Sequence, residues 1–448
     1  MAIPSSVQAL PTQAPNLQSS LTEWLDYMQS IHVSAIDLGL SRVLPVAEKL
    51  GVLKSAKNDA FVFTVAGTNG KGSTTAVIAE ICQQAGYKTA LYQSPHLLDF
   101  NERVRINGEM ASDETLINAF HQVEMARLDC GLTLSFFEMT TLAALLIFAE
   151  NDCDVWVLEV GLGGRLDVVN IIDPDLAVIT NIGIDHVDWL GDNVEAIGAE
   201  KAGILRDDIA LIFGDTTMPN SVADKILEHH VTCYQAQTDF SYQSVDEATW
   251  QFSNAAVTLQ LPKPKLSLIN AANALAAVLA SPLNVTIEAI ESALKSVKLS
   301  GRFDARHLAN RHWLFDVAHN EQGVAFLLTQ LMPLWQSHQK IYPNARIKLL
   351  FSMLADKDMT KVIHELRASN LPISAWFIAP IDHPRAATLE QLQTVLTEQQ
   401  VSRVQGFTNL QLATQAVIAQ SHEDDLIVVC GSFHTIGEAL LTLNLTYS

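Results

Sequence analysis

Several things are scarce in this chain, and each scarcity excludes something. No apolar run approaches the roughly 20 residues of a membrane span; stretches such as Leu142–Ala149 are far shorter. The first twenty residues, MAIPSSVQALPTQAPNLQSS, carry no basic side chain and no continuous apolar block. A secretory signal needs both, so residues 1–20 read as a flexible polar tail on a cytoplasmic protein. Cysteine is sparse and scattered: five residues, none in a C-x-x-C pair. An odd, dispersed set fits reduced thiols packed as small apolar groups, not disulfides or a zinc site. Basic residues are outnumbered, 28 against 49 acidic ones, for a net charge of −21. Nucleic-acid binding depends on neutralising phosphates and is excluded as a partner class. An anionic small substrate must then be held by local cations and backbone N–H groups, against the field of the whole molecule.

What is present is a long, apolar-rich chain. Its 448 residues, 48% of them hydrophobic, exceed one ordinary core and indicate a folded protein of two or three domains. From Phe61 the pattern is strand–helix–strand: 61–66 as a buried strand, 71–85 as a helix ended by Gly86, 88–92 as the next strand. Further buried strands are expected at 155–160, 176–181 and 209–213, with helices at 138–150 and 193–205 between them. Such alternation predicts an α/β fold with a mostly parallel sheet covered by helices on both faces. Residues 236–268 are short, polar and alternating, and read as hairpins or an irregular insertion. After an alanine-rich helix at 270–280, a second α/β series begins, with strands at 312–317, 346–351, 374–379 and 426–430. The expected organisation is a tail (1–20), a central domain (21–300) and a smaller C-terminal α/β domain (301–448).

The chemistry-bearing stretch follows the first strand: "GTNGKGST", Gly67 to Thr74. A strand, a glycine-rich turn and a helix aim backbone N–H groups and a helix dipole at one point, which suits a phosphate. Lys71 would reach the β/γ-phosphates and a hydroxyl would ligate Mg²⁺. The match to G-x-x-x-x-G-K-[ST] is imperfect, because Val65 stands at the first glycine and Gly72 defers the hydroxyl to Ser73. A plain turn between strand and helix is the alternative. Glu159 ends a buried strand just before a glycine turn, where open α/β sheets bind ligands.

The stretch "GTNGKGST" resembles the nucleotide loop of the Mur ligase superfamily. Other stretches narrow the likeness: "IDLGLSRV" (36–43), "SPHLLDFNERVRINGE" (94–109), "FFEMTTLAAL" (136–145), "LEVGLGGRLDVVN" (158–170), "IDHVDWLG" (184–191), "EKAGI" (200–204), "DVAHN" (316–320), "MLADKD" (353–358) and "CGSFHT" (430–435). In this order, from about residue 21 to about 440, they resemble the bacterial bifunctional dihydrofolate synthase/folylpolyglutamate synthase family. The resemblance implies a P-loop-containing, Mur-type central domain. ATP would be held by Gly67, Thr68, Asn69, Gly70, Lys71, Gly72, Ser73, Asn270, Arg302 and Asp316. Two Mg²⁺ ions are implied, one at Ser94 and Glu159, the other at His186 and Lys201, with Lys201 carbamylated. Lys71, Lys201 and His186 would be the catalytic set. Pterin contacts fall on Ile36, Asp37 and Leu38, on Ser135, Phe136, Phe137 and Glu138, and on Leu166, Asp167 and Val168. The family's Pro-Gly-Arg is Ser300-Gly301-Arg302 here, and the proline after "DVAHN" is replaced by Glu321, which leaves the role of His319 open. Read without the family, Phe136 and Phe137 are core residues, His186 a structural histidine and Lys201 a surface cation.

The implied activity is an ATP-dependent ligase, monomeric and cytoplasmic. ATP phosphorylates the carboxylate of dihydropteroate, or the γ-carboxylate of a reduced folate, and the amine of L-glutamate displaces phosphate. Positioning, charge neutralisation and closure of the second domain would supply the catalysis. A peptidoglycan-precursor ligase is a rival, expected to carry a sizeable domain before the loop where only 66 residues precede Gly67. A nucleotide-binding switch is another; it has no need for a second α/β domain.

Overall fold

The computed structural model describes residues 14–31, 38–54 and 60–444. It divides into two compact units. One runs to Ser94 and takes in Asn101–Pro264 and Leu268–Val297; the other comprises Pro95–Phe100, Lys265–Ser267 and the chain from Lys298 onward.

The first unit is built on an eight-stranded sheet. Its strands are β1 (Phe61–Ala66), β2 (Thr89–Tyr92), β3 (Val104–Ile106), β4 (Glu109–Met110), β5 (Val155–Glu159), β6 (Leu176–Ile179), β7 (Ala210–Phe213) and β8 (Thr232–Gln235). The spatial order is β4-β3-β2-β5-β1-β6-β7-β8. From β2 to β8 every pairing is parallel, and β3 and β4 run antiparallel at one edge. The continuous apolar character of β1 and β5 follows from burial on both faces. Helix Lys71–Gln84 and helix Phe136–Glu150 are buried along most of their length and fill the layers beside the sheet. The expected hairpins form a separate three-stranded antiparallel sheet: β9 (Phe240–Ser244), β10 (Thr249–Asn254) and β11 (Thr258–Pro262). It rests on helices Leu268–Ala280 and Ile287–Ser296, and within it Phe240 and Phe252, both buried, stack at 5.9 Å. Residues 1–13 lie outside the described residues. Ser20 caps helix Leu21–Ser30 in a capping box with Glu23, and Asn16 O accepts the Trp24 indole N–H at 3.1 Å.

In the second unit a six-stranded sheet has the order β12-β13-β17-β14-β15-β16. The strands are β12 (Asp304–Leu308), β13 (Arg311–Asp316), β14 (Ile347–Phe351), β15 (Ile373–Ile378), β16 (Val404–Gly406) and β17 (Leu426–Cys430). Only β12 is antiparallel to its neighbour. Period-two alternation sends Leu314, Phe351 and Val428 to one face and Trp313, Phe315, Leu350 and Val429 to the other. Helices cover both. Among the described residues no helix is long and apolar enough to cross a membrane.

Candidate active site

Parallel pairing puts the ends of β1, β2, β5 and β6 on one edge of the large sheet, and the chemistry-bearing residues of the first unit follow those ends. The turn after β1 requires its glycines. Gly67 has φ +152° and a Cβ there would lie 1.8 Å from Thr180 Oγ1; Gly70 has φ +85° and a Cβ would lie 2.3 Å from Asn270 Oδ1. A side chain at either position meets both strain and a clash. The turn is held by the segment after β6. Thr68 N donates to Asn181 O (3.0 Å), Asn69 N to Asn181 Oδ1 (2.9 Å), and Thr180 Oγ1 to Asn69 O (2.6 Å). Thr68 Oγ1 also accepts from Gly183 N at 2.9 Å. Lys71 Nζ bends back to Gly67 O at 3.0 Å, so the ammonium lies over the loop. Gly72 and Ser73 lead the helix, whose first turn is fixed by buried Gln93, donating to Gly72 O (2.7 Å) and Thr75 Oγ1 (2.9 Å).

Glu159, at the end of β5, is 3% exposed. Ser94, just past β2, donates its N–H to Glu159 Oε2 at 3.3 Å. One carboxylate and one hydroxyl are hard oxygen donors, few in number, and that set fits an ion which keeps most of its waters, as Mg²⁺ does. Among the described residues no group of three or more His, Cys, Asp and Glu side chains gathers to cage a metal.

Lys201 is no surface cation. It sits near the end of helix Val194–Ala202 with 3% exposure. Burial drives its pKa down to about 7, Lys71 pushes the same way, and Asp185 opposes them. Lys71, Lys201 and Asp185 therefore feel one another. The end of that helix dovetails with the loop after β5. Arg165 N donates to Glu200 O (2.8 Å), and a Cβ at Gly203 would lie 2.3 Å from Arg165 Cβ. Asn170 Nδ2 closes the joint, bonded to Arg165 O and Gly203 O at 3.0 Å each. His186, at φ +51°, precedes a one-turn helix (Val187–Leu190) and is largely exposed, its Nε2 4.0 Å from Asp185 Oδ2.

The third cluster lies around the start of helix Phe136–Glu150. Ser135 and Glu138 form a capping box: Ser135 N donates to Glu138 Oε2 (2.6 Å) and Glu138 N to Ser135 Oγ (3.3 Å). Phe137 packs over Gly161, where a Cβ would lie 2.4 Å from the ring, and Tyr92 is 6.4 Å away. The Arg103 guanidinium lies 5.8 Å from the Phe136 ring, a cation–π distance. Asp167 accepts from Leu162 N and Val169 N at 2.9 Å each, and burial lifts its pKa to about 6. It organises its own loop, between Leu166 and buried Val168. Leu38 is described; Ile36 and Asp37 lie outside the described residues.

In the second unit, Asp316 ends β13 and accepts from Phe303 N (2.8 Å) and Ala318 N (2.9 Å). Burial raises its pKa, while Arg302 and His319 favour its charged form, so "SGRF" and "DVAHN" converge. Arg302 lies 5.1 Å from the Phe433 ring, and His319 Nδ1 bonds to Val317 O at 2.9 Å. Asn270, on helix Leu268–Ala280, belongs to the first unit, against the loop.

Sequence reasoning missed Thr180 and Asn181, which hold the glycine-rich loop after β1, along with Asp185, Arg103 and Gln93. The signal was available for the first two: "TN" directly follows β6, a strand parallel to β1. The others show themselves only through packing.

Comparison with known proteins agrees with this geometry. Residues 65–281 match the Mur ligase middle domain, and 301–433 match the Mur ligase, glutamate ligase domain. A dihydrofolate synthase/folylpolyglutamate synthase of Escherichia coli is 41% identical over 429 residues, 96% of each chain. The structure of E. coli FolC in complex with DHPP and ADP superposes with TM-score 0.88 at 40% identity, covering 96% of this chain and 99% of that one. The Yersinia pestis bifunctional folylpolyglutamate synthase/dihydrofolate synthase complexed with AMPPNP and Mn gives TM-score 0.87 at 37% identity, covering 97% and 100%. A strand-end nucleotide loop, a Ser94–Glu159 oxygen pair and a buried lysine, on a chain alike over nearly its whole length, make this protein a member of the dihydrofolate synthase/folylpolyglutamate synthase family of Mur ligases.

Proposed function

We propose that this chain is an ATP-dependent ligase that joins L-glutamate to 7,8-dihydropteroate, giving dihydrofolate, and to the γ-carboxylate of reduced folates, extending a polyglutamate tail. One observation carries the reading. The nucleotide loop, the Ser94–Glu159 pair and buried Lys201 share one sheet edge, beside a helix start lined by Phe136 and Phe137. This arrangement supports adjoining places for phosphate donor and carboxylate acceptor.

A carboxylate oxygen of the pterin substrate attacks the γ-phosphorus of ATP, and ADP leaves with the bridging oxygen. The glutamate amine then attacks the acyl phosphate; a proton is lost from nitrogen, and inorganic phosphate departs with one former carboxylate oxygen. Backbone N–H groups of Gly67 to Ser73 and the Lys71 ammonium hold the phosphates, with Asn270 against the loop; Arg302 and Asp316, which converge within the second unit, are proposed as its own nucleotide contacts. Ser94 and Glu159 would hold one Mg²⁺, and His186 with the carbamate of Lys201 a second; such ions neutralise the transferring phosphoryl group. The depressed pKa of Lys201 supports the carbamate, because only a neutral amine attacks CO₂. The consumption of ATP supports a cytoplasmic place, and a monomer suffices, since both matched domains lie on one chain.

The test is ADP release with ATP, Mg²⁺, dihydropteroate and L-glutamate, the product identified by mass. Release that needs both acceptors and yields dihydrofolate supports the reading. ATP hydrolysis indifferent to either acceptor, or no turnover of dihydropteroate, overturns it.

A further inference from the structure

The stretch "IDLGLSRV" contains a charged residue that the pterin reading leaves unused, Arg42. In the structure it reaches across 96 positions of sequence to helix Phe136–Glu150, where its Nη2 donates to Glu138 Oε1 at 2.7 Å. Glu138 is 1% exposed, and its other oxygen accepts from Ser135 N at 2.6 Å. Both carboxylate oxygens are thus engaged by the protein, one by the guanidinium and one by the helix cap. That is the pattern of a bracket more than of a group presented to a ligand.

The bracket joins the segments that matter. Arg42 is the residue before helix Val43–Leu50, and Leu38 lies one turn of chain upstream. Helix Val43–Leu50 also packs against helix Asp113–Cys130 and against the short turn Val168–Ile171. It therefore touches the segment that follows Leu166 and Asp167, and it is pinned to the one that starts at Ser135. We propose that Arg42 is a positioning residue of the pterin site: its ion pair with Glu138 fixes the 38–42 segment against the start of helix Phe136–Glu150 and so sets the spacing between the pterin-contacting stretches. Glu138 serves the same end and acts through Arg42, not by touching the pterin ring. This deepens the function proposed above and rests on its pterin site.

The physical reason is the asymmetry of buried pairs. With Arg42 gone, the Glu138 carboxylate keeps one backbone donor in a place closed to water, and such an uncompensated charge forces its surroundings to rearrange. That change moves the helix start that carries Phe136 and Phe137. The nucleotide loop depends on Thr180 and Asn181 instead, so it is not part of this bracket.

The experiment is a double-mutant cycle with R42M, E138Q and the pair, plus R42K. For each protein KM for dihydropteroate, KM for ATP, kcat and the melting temperature are measured. R42M should raise KM for dihydropteroate about tenfold or more, within the range of coupling through a shared ion pair, and leave KM for ATP within about twofold. E138Q should change it in the same direction, the double variant should be no worse than the poorer single one, and R42K should recover part of the loss. A lowered melting temperature with unchanged KM for dihydropteroate overturns the proposal, as do additive effects in the double variant or an equal rise in both KM values. If R42M does not fold, R42K and E138Q carry the same comparison. Failure of the wild type to turn over dihydropteroate would overturn the function itself and is read from the wild type alone.

Discussion

The buried lysine is where structure and chemistry meet most sharply. An ordinary lysine, with a pKa near 10.4, presents about one neutral amine in 2,500 at pH 7. With its pKa driven down to about 7, Lys201 presents about one in two, over a thousandfold more of the form that attacks CO₂. At pH 6 the neutral share falls to about one in ten. In the proposed carbamate the amine nitrogen would bond to the carbon of CO₂ and give up a proton, and the side chain would change from a potential cation to an anion. Protein equilibrated with ¹³C-bicarbonate at pH 8 should show a carbamate resonance that Lys201→Arg lacks. Protein dialysed free of CO₂ at pH 6 should lose activity and regain it with bicarbonate, faster at pH 8 than at pH 6.5. Lys201→Arg, which keeps a charge but cannot form the group, should lose roughly a hundredfold or more in rate. Absence of the resonance in active protein, or near-normal turnover by Lys201→Arg, would refute the reasoning. The same depressed pKa has a sign for stability: between about pH 7 and 10.4 the unfolded lysine binds a proton that the folded one does not. Its contribution to stability therefore grows as pH rises through that window and is least below pH 7.

Further outcomes follow from single contacts. Lys71→Ala should fold normally and lose about a hundredfold or more in ligation rate; a folded variant with near-normal turnover would remove the loop from the mechanism. Gly70→Ala puts a Cβ 2.3 Å from Asn270 Oδ1 at φ +85°, so KM for ATP should rise steeply with the first unit still folded by circular dichroism. Tyr27→Phe deletes the hydroxyl that donates to buried Glu124 at 2.7 Å; it should cost about 1–2 kcal/mol of stability in denaturant titration and leave kcat/KM unchanged. Asp37→Ala should impair dihydropteroate turnover about ten- to a hundredfold and folate extension less; equal loss of both with a lowered melting temperature would make Asp37 a structural residue.

Much of the fold was legible because burial writes itself into strands. Phe61–Ala66 and Leu426–Cys430 begin and end where their apolar runs do. Helix ends were less legible: helix Phe136–Glu150 starts two residues before its expected 138, because the Ser135–Glu138 capping box, not the apolar pattern, fixes the start. Strands β3, β4, β8, β12 and β16 went unread, being short or at a sheet edge, with half-exposed residues that blur the alternation. The nucleotide loop was legible from its glycines, since only glycine tolerates those angles and contacts. Lys201 was not, because a helical lysine carries no mark of burial until the loop after β5 is laid against its helix. For Glu138 the family resemblance implies a pterin contact; what the sequence does not disclose is that its oxygens engage Arg42 and Ser135. Such pairings between distant segments have no local signature.

The central claim is that amide formation passes through an acyl phosphate built at this sheet edge. Dihydropteroate labelled with ¹⁸O in its carboxylate tests it directly, through the isotope content of the inorganic phosphate released during synthesis of dihydrofolate. The proposed chemistry requires one labelled oxygen to appear in each phosphate, in step with the dihydrofolate formed. Phosphate free of label, with dihydrofolate still accumulating, would contradict it.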